Sequence, residues 1–400
     1  MSETKTCVVV GASHAGSQLA VQLRKSGWSG RIILIGAESE IPYHRPPLSK
    51  AVMAGEKTVK DIPLRPAVMY ANNKVELRLG ARVSRILREE KAVRLETGET
   101  IAYDRLALCT GARPIRLPLG NGLQGVHYLR NIEDVDSIRA DLAPGRRAVI
   151  IGAGYIGLEA AAVLAQLGLE VTVLERASRV LPRVTGEEVS SYITALHELH
   201  GVSIECNADV VSINGEAQVD SVSCADGSLH PADLVIVGVG IVPDTTLAED
   251  AELRVENGIH VDEYGRSSDP DIFAAGDCAS FPSILYARRM RLESVQNAND
   301  QSRAVAANIC DQQQVYDSLP WFWSDQYGIK LQSVGLMNGH DDTIQLGTSD
   351  PQSDSGFSLL YFQGDRLIAA DCVNQARVFM ACKKLIQAGA GRDTVLAELG

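Results

Sequence analysis

Two short loops in this chain have the residue types and spacing needed to hold a pyrophosphate. Gly152-Ala153-Gly154-Tyr155-Ile156-Gly157 fits G-x-G-x-x-G in full, and Gly11-Ala12-Ser13-His14-Ala15-Gly16 fits it with Ser13 at the middle glycine. Such a loop lets the backbone approach the phosphates and aims helix N-terminal amides at them. A serine at the middle position takes some of that room. Each loop is followed by an acid: Glu38 lies 27 residues after Gly11, and Glu175 lies 23 after Gly152. A carboxylate there accepts hydrogen bonds from ribose hydroxyls and repels a 2′-phosphate, which favours NADH over NADPH at the second loop; neighbouring Arg176 works against that preference. One enzyme rarely needs the same nucleotide twice, so the pair implies two different dinucleotides.

The loops need strands and helices around them, and the sequence supplies both sets. "TCVVV" leads into the first loop, "AGSQLAVQLRKSG" reads as its helix and "RIILIGAE" as the next strand. The stretch from Arg146 to Glu175 repeats that layout. Behind each βαβ unit lies an antiparallel meander with a Gly-containing turn, Thr97-Gly98 in the first and Asp226-Gly227 in the second. Each meander ends in a buried strand, near 106–109 and 234–237. The blocks "YDRLALCTGARP" and "ADLVIVGVGIVP" correspond, so a whole nucleotide domain is repeated inside the chain. "DPDIFAAGDCAS" and a helix near 296–309 follow. From about Tyr316 the chain reads as strands and a final helix pair without a nucleotide motif.

Composition narrows the function. A chain of 400 residues with 45% hydrophobic content is expected to fold as two or three domains. Lys plus Arg number 38 against 50 Asp plus Glu, a net charge of −12, which disfavours nonspecific nucleic-acid binding. The eight cysteines, Cys7, Cys109, Cys206, Cys224, Cys278, Cys310, Cys372 and Cys382, show no C-x-x-C and no metal-ligand spacing, and read as reduced thiols. "MSETKT" is not a signal-peptide start and no apolar run is long enough to span a bilayer. The expectation is a cytoplasmic protein without metal, nucleic-acid or membrane partners.

"PYHRPPLSK", "TGARP", "IFAAGDCA", "NANDQS" and "PWFWSDQ" are more specific than either glycine loop. Through them nearly the whole chain resembles the two-dinucleotide-binding-domain flavoproteins, and within these the FAD-dependent ferredoxin reductases of bacterial oxygenase systems, the putidaredoxin-reductase type. The resemblance implies an α/β fold with two Rossmann-like dinucleotide-binding domains, glutathione-reductase-like, plus a small α+β C-terminal domain. Residues 1–112 and 241–315 would form a discontinuous FAD-binding domain, 113–240 the NAD-binding domain and 316–400 the C-terminal interface domain. It places Gly11, His14, Ala15, Gly16, Ala37 and Glu38 along the FAD phosphates and ribose, and Val83 at the adenine. Arg45 and Lys50 would lie near the pyrophosphate and flavin, with Thr110, Gly111 and Arg130 close to FAD. Asp277 would bind the ribityl or phosphate-side hydroxyls, Val295 would touch the isoalloxazine and Trp321 is a further FAD contact. The NADH side would comprise Gly152, Gly154, Tyr155, Ile156, Gly157, Glu159, Glu175, Arg183, Gly240 and Glu293. Lys50, Glu159 and Trp323 would be catalytic, Lys50 as a cation near flavin N5 paired with a carboxylate such as Glu159. A helix N-terminus near Gln296 would stabilise negative charge on reduced flavin by its dipole.

The implied reaction is hydride transfer from NADH to FAD, then single-electron transfer to a 2Fe–2S ferredoxin that feeds a cytochrome P450 or a ring-hydroxylating dioxygenase. Relatives that use a redox cysteine carry it beside the flavin, and the segment from Pro42 to Lys50 has none. Trp321 and Trp323 read either as core residues or as flavin neighbours at the electron exit. Arg288, Arg289 and Arg291 form a local basic cluster, either a solvated loop or a docking patch for an acidic ferredoxin. Two other readings stand beside this one: an NADH-dependent reductase of a small acceptor such as a quinone or monodehydroascorbate, and an NAD(H)-sensing flavoprotein of the apoptosis-inducing-factor kind. The net charge of −12 disfavours the latter, whose DNA-associated members would need basic surfaces.

Overall fold

The computed structural model describes residues 5–353 and 355–399, so the expectation about the start of "MSETKT" falls largely outside the described residues. The chain forms two compact units. The first comprises the chain through His44 with Val59–Arg113 and Val242–Ser318; the second comprises Arg45–Thr58, Pro114–Ile241 and the chain from Leu319 onward.

In the first unit, the apolar run Thr6–Val10 is the centre of a parallel sheet. The strand order is Ile272–Ala274, Arg105–Leu108, Thr6–Val10, Arg31–Ile35, Val75–Arg78. Val8, Val9, Ile32, Ile33, Leu106 and Ala107 are all buried, as continuous apolar strands covered on both faces must be. The helix His14–Lys25 leaves the first glycine loop and packs against Val295–Ile309, with Leu19, Leu23, Val305 and Ile309 in one core cluster. This second helix starts at Val295, one residue before the expected 296. Ser294 caps it, accepting from the Asn297 amide at 3.0 Å. The meander is present as Val83–Leu87, Ala92–Leu95 and Thr100–Ala102, and its closing buried strand is Arg105–Leu108 rather than 106–109.

The second unit repeats the scheme. Its parallel sheet runs Ser203–Cys206, Glu170–Glu175, Arg147–Ile151, Leu234–Val237, Val126–Tyr128. The helix Tyr155–Gln166 follows the second loop, and the meander is Val210–Gly215, Val219–Cys224, Leu229–Pro231. The remainder of this unit is an antiparallel sheet, ordered Trp321–Gln326, Ile329–Gly335, Arg366–Val373, Phe357–Gln363, Asp342–Leu346. The helix Ala376–Ala388 packs on its Arg366–Val373 and Ile329–Gly335 strands, and Arg392–Leu399 completes the expected helix pair. Among the described residues no helix is long and apolar enough to cross a membrane, and no group of three or more His, Cys, Asp or Glu is placed to hold a metal ion.

The two glycine loops are built alike. Gly11 has φ +108°, and a Cβ on it would lie 2.1 Å from the Cys109 carbonyl oxygen; Gly152 has φ +104°, and its Cβ would lie 2.6 Å from the Gly238 carbonyl oxygen. In each case the loop crosses the end of a neighbouring parallel strand so closely that only glycine fits. The middle position differs. Ser13 and Gly154 both have extended backbone, and a Cβ on Gly154 would meet nothing within 4 Å. The second loop is therefore open at its middle position.

Candidate active site

Within the second unit, Lys50 and Glu159 meet. Lys50 Nζ lies 2.5 Å from Glu159 Oε2, with the lysine 22% and the glutamate 3% exposed. The pair joins the end of the short 3-10 turn Pro46–Ser49 to the first turns of the helix Tyr155–Gln166. A buried carboxylate is tolerated only when paired and hydrogen-bonded. Here the Ser49 hydroxyl donates to Oε2 at 2.5 Å and the Ser324 hydroxyl donates to Oε1 at 2.6 Å. Neither serine was identified from the sequence. Ser49 adjoins Lys50 in "LSK", and Ser324 lies at an alternate position of the strand Trp321–Gln326.

That strand separates its residues by face. Phe322 lies tilted against the Tyr155 ring at a ring distance of 4.5 Å, and Ser324 and Gln326 are buried on the same side of the strand. Trp321 and Trp323 alternate to the other side, 5.6 Å apart, where Trp321 also contacts Phe379 and the ammonium of Lys383. Neither tryptophan is fully buried.

The second glycine loop already holds its acid. Glu175 accepts from the Ala153 amide at 2.7 Å and from the Ala177 amide at 2.8 Å, one bond to each oxygen. Each oxygen keeps a further lone pair for a ribose hydroxyl. Ile156 is 44% exposed at the start of the loop helix. The exposed Arg183 brings a guanidinium nitrogen to 3.8 Å from where a Gly240 Cβ would be, so these two adjoin as one wall. Arg45 donates to the Arg130 carbonyl at 2.7 Å. Arg45, Lys50 and Arg130, expected at FAD, thus belong to the second unit; Glu293, expected on the nicotinamide side, belongs to the first.

In the first unit, Ala15 and Gly16 open the loop helix with His14, whose ring lies edge-on to His44 at 5.6 Å. Ala37 is exposed at the end of the second strand, and Glu38 accepts from the Tyr43 hydroxyl, a partner missed in the sequence. Val83 is buried at the start of the meander. The Thr110 hydroxyl donates to the Asp244 carbonyl at 2.6 Å, beside Gly111. Two features fit a dinucleotide here. A Cβ on Gly276 would come within 2.9 Å of Ala15 Cβ, so the turn before Asp277 lies directly on the loop helix. Gln301 accepts the Gly276 amide at 2.8 Å, and its own Nε2 is a buried donor with no partner in the protein.

The basic cluster is less free than its sequence implied. Arg289 donates to the Val261 carbonyl at 2.9 Å and the Ser280 carbonyl at 2.5 Å. Arg291 pairs with Glu293 at 2.6 Å and donates to the Asp277 carbonyl at 3.1 Å. Arg288 alone of the three is exposed. All eight cysteines are free thiols; Cys7, Cys109 and Cys278 are buried, and burial raises the pKa of each, most for Cys7 and Cys109. Such thiols are poor nucleophiles.

The chain matches two protein families. The one described as pyridine nucleotide-disulphide oxidoreductase covers residues 5–302, and the one described as reductase C-terminal covers residues 321–397. The putidaredoxin reductase of Pseudomonas putida is 44% identical over 393 residues, 96% of this chain and 92% of that one. The ferredoxin–NAD(+) reductase component of the anthranilate 1,2-dioxygenase system of Burkholderia cepacia is 40% identical, over 96% of this chain and 95% of its own. Among solved structures, the covalent putidaredoxin reductase–putidaredoxin complex superposes with a TM-score of 0.93 at 42% identity, over 98% of this chain and 95% of that one.

Proposed function

The chain belongs to the pyridine nucleotide-disulphide oxidoreductase family, and from that premise we propose that it is an FAD-dependent NADH:ferredoxin oxidoreductase serving a cytochrome P450 or a ring-hydroxylating dioxygenase. The observation that carries this reading is the buried Lys50–Glu159 pair beside the second glycine loop, in a chain whose flavin-side segment has no cysteine. FAD bound there would supply the acceptor for a hydride from NADH and the capacity to release the electrons one at a time. The protein supplies position and charge. Glu175 and the amides of Gly152–Gly157 hold the NADH adenosine and pyrophosphate, with Arg183 and Gly240 alongside. Lys50 presents a cation to the flavin, and Glu159 holds that cation in place. Gly11–Gly16, Glu38 and Asp277 hold FAD, with Gln301 as an additional donor. Residues 1–112 and 241–315 form the FAD domain, 113–240 the NAD domain and 316–400 the interface domain, and the protein works in the cytoplasm.

Anaerobic mixing tests the reading. NADH should bleach the purified yellow protein rapidly, and the reduced protein should then reduce a 2Fe–2S ferredoxin, putidaredoxin being the probe. Fast turnover with quinone or monodehydroascorbate and none with ferredoxin would assign it to small acceptors instead.

A further inference from the structure

A line of hydrogen bonds leads away from Glu159 through groups that bind no cofactor in the reading above. Ser324 Oγ lies 2.6 Å from Glu159 Oε1, Gln326 Nε2 lies 3.0 Å from Ser324 Oγ, and His197 Nε2 lies 2.7 Å from Gln326 Oε1. The Tyr327 hydroxyl stands 3.5 Å from His197 Nδ1 at the outer end. Glu159, Ser324, Gln326 and His197 are exposed by 3%, 1%, 4% and 0%, so water does not substitute for any of the inner links.

The order of donors is forced. A carboxylate oxygen accepts only, so the Ser324 hydrogen must point at Glu159. Ser324 then needs a donor behind it, which sets the Gln326 amide with its NH2 towards the serine. Turning that amide round would draw the serine hydrogen to Gln326 and leave two acceptors facing each other 2.6 Å apart. With Gln326 Oε1 outward, His197 must carry its proton on Nε2. Every link therefore donates towards Glu159. Burial lowers the His197 pKa to about 4, and the nearby His200 pushes the same way, so the ring stays neutral with a single proton near neutral pH. The outer end is pinned as well. Tyr327 sits in a two-residue hairpin turn at φ +51°, an unfavourable backbone for a large side chain, stacked on the His200 ring at 3.8 Å.

We propose that Gln326, backed by His197, is a positioning residue for Glu159: it fixes the Ser324 hydroxyl so that the carboxylate is held in one orientation beside Lys50. This rests on the assignment of Glu159 to the NADH half-reaction.

Gln326→Glu keeps the shape and reverses one link. At about pH 9.5 the introduced carboxylate is an acceptor and turns the Ser324 hydrogen away from Glu159; protonated at about pH 5.5, it donates again, since burial raises its pKa. The limiting rate of flavin reduction by NADH in anaerobic stopped flow should fall about tenfold at the higher pH, relative to wild type, and recover to within about twofold at the lower. Ser324→Ala should be slow at both, and it decides the matter if Gln326→Glu fails to retain FAD. Histidine-ring 15N shifts of the wild-type holoenzyme, which need no NADH, should show His197 protonated on Nε2. A wild-type rate in Gln326→Glu at the higher pH, or a proton on Nδ1, overturns the proposal. Failure of NADH to bleach the wild-type flavin would instead overturn the functional reading.

Discussion

Glu175 is engaged before any nucleotide arrives, because the Ala153 and Ala177 amides each hold one of its oxygens. Its loss should therefore remove the proposed ribose contacts and loosen the loop together. Glu175→Ala should weaken NADH at least tenfold, since a hydrogen bond to a charged group contributes about 1.5–3 kcal/mol, and should narrow the gap to NADPH; titration with both nucleotides measures this. Asp371 illustrates the opposite situation. It is 2% exposed, accepts from the Tyr361 hydroxyl at 2.5 Å, and burial pushes its pKa from 3.8 up to about 6. The folded state thus binds this proton more tightly than the unfolded one, and the group costs stability progressively as pH rises from about 4 to about 6, with the full cost above that. Asp371→Asn should be more stable than wild type at neutral pH by on the order of 1–3 kcal/mol, and equal to it below about pH 4, read from paired denaturation curves. Neither Asp371 nor the serines around Glu159 was legible in the sequence. Ser324 lies 165 positions from Glu159, and only the register of the strand Trp321–Gln326 puts it, rather than Trp323, on the side of the loop helix.

At the scale of elements, the two loops differ in what they permit. A Cβ on Gly157 would lie 2.1 Å from the Gly152 carbonyl oxygen, whereas one on Gly154 would meet nothing. Gly157→Ala should abolish NADH binding while the flavin spectrum persists. Gly154→Ser, which copies the first loop, should fold normally and lose no more than about tenfold in NADH affinity; a collapse of its thermal stability would contradict the open geometry. The strands entering both loops, Thr6–Val10 and Arg147–Ile151, were readable to within a residue because their apolar runs are continuous and close on glycine, whereas "RIILIGAE" runs three residues past the end of its strand at Ile35. The order of the C-terminal sheet was not readable, since it depends on pairing Ile329–Gly335 with Arg366–Val373 across 30 intervening residues. The membership of residues 45–58 in the second unit was equally hidden. The segment consists of short turns after a proline pair, and its place is set by contact with the helix Tyr155–Gln166.

At the scale of the whole molecule, a ferredoxin must find its reductase by diffusion, and complementary charge raises the rate of encounter. Arg289 and Arg291 are tied to backbone carbonyls and Glu293, so replacing them perturbs the fold as well as the surface. Arg288→Gln is the cleaner probe. It should lower the ferredoxin on-rate by about threefold or more at low salt and flatten its salt dependence, with flavin reduction by NADH unchanged; an unaltered on-rate places docking elsewhere. The first unit has a further consequence, visible when the chain is followed in the order the ribosome makes it. Its parallel sheet begins at Thr6 yet gains its last strand at Ile272–Ala274, and its loop helix waits for Val295–Ile309. The second unit's parallel sheet is continuous and complete by Val237. At ~5–20 residues per second, synthesis reaches the end of the Val295–Ile309 helix roughly 4–14 s after Val237. The pocket encoded first is thus framed last. During that interval the edge of the strand Arg105–Leu108 lacks its Ile272–Ala274 partner, and flavin uptake by nascent chains should begin only after the second sheet can close.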